Sequence, residues 1–183
     1  KLRTAPDTKS KVLELLKIGE WVEIIEKTTA SWPYKGFDSP FYKVKYDDMT
    51  GYIIGGLLSL EKKTLNNTNY FFAYSREDDT LFLNIRNIKD GDYVENKVQL
   101  ANPNIMVKTM EDQGLESLNG ILYIDYISEA CGMEGGSVYF FAHDKGLSKV
   151  AELSAIFEAG IFGYSEKFIF PDDEGGIPGK IVY

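Results

Sequence analysis

One cysteine and one histidine stand in 183 residues. A lone Cys forms no intramolecular disulfide, and with a lone His it assembles no Cys/His zinc cluster. Positive charge is also short, with 20 Lys and Arg against 28 Asp and Glu, a net of −8. Broad nucleic-acid binding and anionic-membrane binding both rest on basic surface, so the composition argues against each. Long apolar runs are missing too. The stretch Tyr52-Ile53-Ile54-Gly55-Gly56-Leu57-Leu58 is among the longest and falls far short of the ~20 residues that cross a bilayer as a helix. No signal peptide opens the chain. It starts at Lys1 rather than Met and ends on Ile181-Val182-Tyr183, which reads like part of a strand, and both ends fit a trimmed form.

What is present is ordinary for a globular protein: 44% hydrophobic and 26% charged residues, so disorder is not expected. Aromatics reach 14%, mostly Tyr and Phe, which favours strands over helices. Charge is unevenly spread. Residues 1–63 hold 11 basic and 9 acidic side chains, a net of +2, whereas residues 64–183 hold 9 and 19, a net of −10. The polar stretch from Glu61 to Asn69 lies where the sign changes, and it predicts a boundary between domains 1–63 and 64–183.

In the first part, Lys11 to Lys17 has helix formers, yet Gly19 and the β-rich Trp21-Val22-Glu23-Ile24-Ile25-Glu26 follow closely. Two short strands around a turn explain the region equally well. Phe41 to Tyr46 alternates with period two, placing Tyr42, Val44 and Tyr46 on one face. Asp47 to Gly51 reads as a turn, and Tyr52-Ile53-Ile54 resumes a strand. Short strands joined by Gly/Asp turns in about 60 residues suggest a small barrel.

Leu2-Arg3-Thr4-Ala5-Pro6, Lys11-Val12-Leu13, Lys17-Ile18-Gly19-Glu20, Tyr42-Lys43-Val44 and Thr50-Gly51-Tyr52-Ile53 occur in order. Together they resemble the bacterial SH3-like domain, which opens with an L/V-R-x-x-P element and carries a W-Y-K-V strand followed by G-x-x-G-W-V. Phe41 and Tyr52 stand where that family usually has Trp. The resemblance covers residues 1–60 and resolves the ambiguity at 11–17 in favour of strands. It implies a barrel in which Arg3 and Pro6 shape the first loop, Gly19 and Gly51 make turns, and Val22, Val44 and Ile53 form core. It also implies a binding or positioning module of an exported, periplasmic or cell-envelope protein, contacting cell-wall peptide or a protein partner.

Lys27 to Pro40 departs from a simple hairpin: it is long and carries two prolines and three aromatics, Trp32, Tyr34 and Phe37. Rigid aromatics on a loop offer large contact area at low entropic cost. With Tyr42 and Tyr52 they make the candidate ligand-binding set. The competing reading folds these aromatics back as a lid or against the second domain, since large aromatics are usually buried.

In residues 64–183 strand signals recur at Tyr70–Tyr74, Thr80–Ile85, Gly120–Tyr126, Ser137–Phe141, Phe168–Phe170 and Lys180–Tyr183. Residues 147–159 fit a helix or a strand. The expectation is an all-β, or mostly-β, chain: a small SH3-like barrel, then a β-rich domain of uncertain fold with at most one helix. Cys131 is the only candidate nucleophile of its kind and His143 the only imidazole base. Their pairing would make a thiol hydrolase of the cell envelope, and it competes with a small buried thiol beside a Gly-rich turn. Asp172, Asp173 and Glu174 could offer oxygen ligands to Ca²⁺, but the spacing lacks the alternation of an EF-hand loop and reads more simply as a solvated acidic turn. Gly132, Gly135 and Gly136 lack the Lys-Ser/Thr of a phosphate loop. No cofactor is expected, and non-catalytic binding is favoured over an enzyme.

Overall fold

A computed structural model describes residues 1–127, 134–158 and 162–183. Strands dominate, in three antiparallel sheets. The single turn of 3₁₀-helix at Gly55–Leu57 is the only helical element among the described residues. The chain is all-β, as its aromatic content predicts.

Two compact units emerge. The first joins residues 1–62 to residues 69–100, and the second joins residues 63–68 to residues 101–183. Counted by unit, the first carries 14 Lys/Arg and 15 Asp/Glu (net −1) and the second 6 and 13 (net −7). The polar stretch around residues 61–69 is itself structured, holding a strand at Lys62–Leu65 and a turn in which Asn66 and Asn67 both have positive φ. Asn tolerates that region better than most residues.

In the first unit, β1 (Leu2–Arg3), β2 (Val12–Glu14), β3 (Glu23–Tyr34), β4 (Phe37–Tyr46) and β5 (Met49–Ile54) form one sheet in the order β2-β1-β5-β4-β3. Leu2, Val44 and Ile53 are its fully packed core, with Leu16, Val22, Tyr42, Tyr46, Met49 and Leu58 around them. The alternation expected from Phe41 to Tyr46 is therefore real, and Tyr42, Val44 and Tyr46 do share the inner face. Arg3 Nη1 donates a 2.6 Å hydrogen bond to the Ser10 carbonyl, which closes the first loop. After β6 (Lys62–Leu65), the strands β7 (Thr68–Glu77), β8 (Thr80–Lys89) and β9 (Asp92–Gln99) run as a meander. Its β8–β9 turn is Asp90-Gly91, both at positive φ, the two-residue geometry that matches strand twist.

Residues 27–40, expected as a loop, are instead the distal half of a long hairpin made by β3 and β4. Both prolines are accommodated within it. Pro33 lies on β3, the edge strand of its sheet, where a missing N–H breaks no ladder. Pro40 lies opposite Ser31, where the register shifts between Lys27 and Ser31. The reversal is a two-residue turn at Lys35 (φ 47°) and Gly36 (φ 82°).

The second unit holds a five-stranded sheet in the order β10 (Ile105–Met110), β11 (Gly120–Tyr126), β12 (Glu134–His143), β13 (Gly146–Glu158) and β14 (Phe162–Ser165). The helix-or-strand ambiguity at 147–159 resolves to strand through residue 158, with Leu153 buried and Glu152 and Ser154 exposed on either side of it. Leu118, Ile121 and Phe170 anchor a core lined by Tyr139, Phe141 and Phe168.

Candidate functional site

A cleft of about 190 Å³ opens in the first unit where the β3–β4 hairpin meets β7. Tyr34, Phe37 and Asp38 come from the hairpin tip, Leu58 and Leu60 from the segment after β5, and Tyr74 from β7. Gly55 and Gly56 of the Gly55–Leu57 turn form its floor. A Cβ at Gly56 would lie 2.5 Å from Tyr34 Cδ1, and one at Gly55 would lie 2.7 Å from Tyr42 Cε2. The two glycines thus let both tyrosine rings lie against the main chain. Ser39, which is buried, accepts a 2.7 Å hydrogen bond from the Gly56 N–H and fixes the floor to β4.

Both walls are pinned by backbone. The Arg76 N–H donates to the Lys35 carbonyl at 2.8 Å, and the Leu60 N–H to the Phe72 carbonyl at 2.8 Å. Lys35 Nζ also reaches Glu95 of β9 at 2.8 Å. Burial works to raise the Glu95 carboxyl, but hydrogen bonds from Lys35 and Tyr93 outweigh it, and the group is held below the usual carboxylate range. Tyr93 in turn is pushed up by burial and by donating its hydroxyl to Glu95. The Arg76 guanidinium lies 4.9 Å from the Phe37 ring centroid, a cation–π contact that orients the ring. At Tyr74 burial is the main cause of a raised hydroxyl pKa, followed by the negative charge of Glu61.

Of the five aromatics expected at a ligand site, the structure brings Tyr34 and Phe37 into the cleft. Tyr42 packs beneath the floor and into the barrel core. Trp32 precedes Tyr34 by two residues on β3 and stays 44% exposed. Tyr52 is elsewhere: it pairs with Lys43, whereas Tyr42 pairs with Ile53, so Tyr42 and Tyr52 lie on opposite faces of their sheet. The far wall, Leu60 and Tyr74, had no separate signal in the sequence. Only the apolar run Tyr70–Tyr74 marked that strand.

Residues 1–59 match the bacterial SH3 domain. The five motif elements therefore lie inside a recognised family interval, and β1 to β5 are its strands. That match covers 59 of 183 residues. The cleft uses the SH3 domain for its hairpin wall and floor, while Leu60 and Tyr74 lie beyond the matched interval. No curated protein and no solved structure matches the chain.

The other candidates carry less. His143 is exposed, with Nδ1 3.3 Å from the Ser117 carbonyl and its ring edge-on to Phe141. Cys131 lies outside the described residues, so its pairing with His143, the alternative to a non-catalytic role, is left without a described geometry. Asp173 accepts a 2.8 Å hydrogen bond from the Phe170 N–H, and its own N–H donates to the Phe170 carbonyl. Asp172 lies against Gly114, and Asp172 and Glu174 belong to the same exposed turn as Asp173. Among the described residues no three His, Cys, Asp or Glu side chains converge as a metal site. No helix among the described residues is long and apolar enough to cross a membrane.

Proposed function

We propose that the SH3 domain serves as a non-catalytic binding or positioning module of an exported, cell-envelope protein, and that it holds a cell-wall peptide or a protein partner at the hairpin cleft. The observation that carries this reading is the cleft itself. Tyr34 and Phe37 of the β3–β4 hairpin and Tyr74 of β7 line it, and backbone hydrogen bonds tie the hairpin tip to β7 and Leu60 to Phe72. Preformed walls reduce the ordering cost of binding. Trp32, two residues before Tyr34 on β3, is a further exposed aromatic of the same strand. The family match of residues 1–59 supports a binding role over a catalytic one.

The test is retention of the full chain on purified peptidoglycan, compared with Tyr34→Ala and Trp32→Ala. The expected result is retention of the parent protein that falls about tenfold or more with Tyr34→Ala, in line with loss of an aromatic anchor, and less with Trp32→Ala. Absence of retention, or retention indifferent to both changes, contradicts the reading.

A further inference from the structure

The cleft's size and charge say what part of a ligand it can hold. At about 190 Å³ it is below the ~300–1,000 Å³ of sites that enclose a whole small molecule. It has room for one long side chain. Its lining is mostly apolar or aromatic, with Tyr34, Phe37, Tyr74, Leu58 and Leu60 among the residues that form it. At the mouth the chemistry changes. Asp38 is the only charged side chain that lines the cleft, and it is exposed. Its carboxylate takes part in no hydrogen bond or ion pair given by the described residues.

The surroundings reinforce that sign. The negative charge of Glu61 reaches the Tyr74 hydroxyl from beside Leu60. Lys35, the nearest lysine on the hairpin, is occupied by Glu95. The Arg76 guanidinium is stacked on Phe37. Aromatic faces with a carboxylate at the rim attract a cation twice, through ring quadrupoles and through charge. A ligand carboxylate would meet Asp38 as a like charge.

We propose that this cleft takes a primary ammonium on an aliphatic stem, a lysine-type side chain of a peptide, with its methylenes between Tyr34 and Tyr74 and its ammonium on Asp38. The proposal rests on the reading of the cleft as a peptide site and specifies the group recognised there. An aliphatic stem buries apolar area while its charged head stays near water, which fits a narrow apolar slot with an acidic rim.

The probe is Nα-acetyl-lysine amide, titrated into the full chain and followed by amide NMR shifts. Its Nε-acetylated form serves as the neutral control. The expected result is saturable shifts at Ser39, Gly56 and Ala73, with affinity weakened about fivefold to tenfold by Nε-acetylation and to a similar extent by Asp38→Asn, as for loss of a charged hydrogen bond. Asp38 is exposed, so its substitution leaves the core intact, and an unchanged spectrum of the free variant verifies this. Equal shifts from the acetylated control, indifference to Asp38→Asn, or no shifts at the cleft overturns the proposal. Peptidoglycan retention that persists in that event leaves the wider reading standing. Lysine binding without peptidoglycan retention removes the wall ligand and keeps the ammonium site.

Discussion

Arg86 is the one charged side chain among the described residues that is less than a tenth exposed, and its Nε and Nη2 are buried with no hydrogen-bond partner. It stands on β8 opposite Glu95, yet Glu95 is engaged by Lys35 and Tyr93. A buried donor without a partner costs about 1–3 kcal/mol, more when charged. Arg86→Met keeps the stem's packing and removes the unpaired donors. It is expected to hold or raise the urea unfolding midpoint, with a gain of up to about 3 kcal/mol. A loss of more than about 1 kcal/mol would show that the guanidinium is compensated within the fold. Nothing in the sequence pointed to this residue. Thr80 to Ile85 reads as an apolar strand that stops short of Arg86, and burial of Arg86 follows from what packs on β8, which local pattern does not encode.

At the scale of elements, the β3–β4 hairpin holds β7 through its tip. Gly36 sits at φ 82°, and a Cβ there would come within 2.1 Å of the Arg76 carbonyl oxygen. Gly36→Ala is therefore expected to destabilise by about 2 kcal/mol or more, from backbone strain plus the clash. Lys35→Ala removes a partly exposed ion pair and is expected to cost under about 1 kcal/mol. Denaturant melts of the two variants check the contrast, and equal effects would mean that the tip is not closely docked.

A second tie joins Glu166 to β13 and β14. The Glu166 carboxylate accepts from Tyr164 and Tyr183 at 2.5 Å each and from the Ser154 N–H at 2.7 Å. Those bonds hold Glu166 below its usual range and, chiefly through the Glu166 bond, push Tyr183 up to about 12. Glu166 is depressed on folding, so its contribution is present above the unfolded carboxyl pKa and fades as pH falls through the folded value. Tyr183 is raised, so its contribution is present below the unfolded phenol pKa of 10 and fades as pH rises through about 12. Glu166→Gln should return the Tyr183 ring titration, followed by NMR, toward 10. No movement would mean that another group sets it.

The strand segments at 12–14, 41–46 and 52–54 were legible because they are short, β-rich and close to Gly or Asp turns. The hairpin at 27–40 was not, because Pro33 and Pro40 signal a loop unless one knows that β3 is an edge and that the register shifts nearby. Tyr34 and Phe37 stood out as large aromatics. Their partner wall, Leu60 and Tyr74, depends on how β7 packs and had no local mark.

At the scale of the molecule, the charge change at residue 63 lies close to the end of the SH3 match, whereas packing carries the first unit on through residue 100. Hydrogen exchange tests that division. Amides of β8 are expected to open with β4 rather than with β11 and β12, as members of one cooperative unit. Exchange of β8 together with β11 would place the division elsewhere. The near-neutral charge of the first unit, against −7 for the second, also leaves the SH3 domain as the part less repelled by an anionic wall polymer.

The central claim is that the hairpin cleft is the binding site, and the most direct measurement is amide shift mapping of the full chain with solubilised peptidoglycan fragments. The account predicts saturable shifts centred on Ser39, Gly56 and Ala73, abolished by Tyr34→Ala. Saturable shifts confined to other surfaces, or none at all, would contradict it.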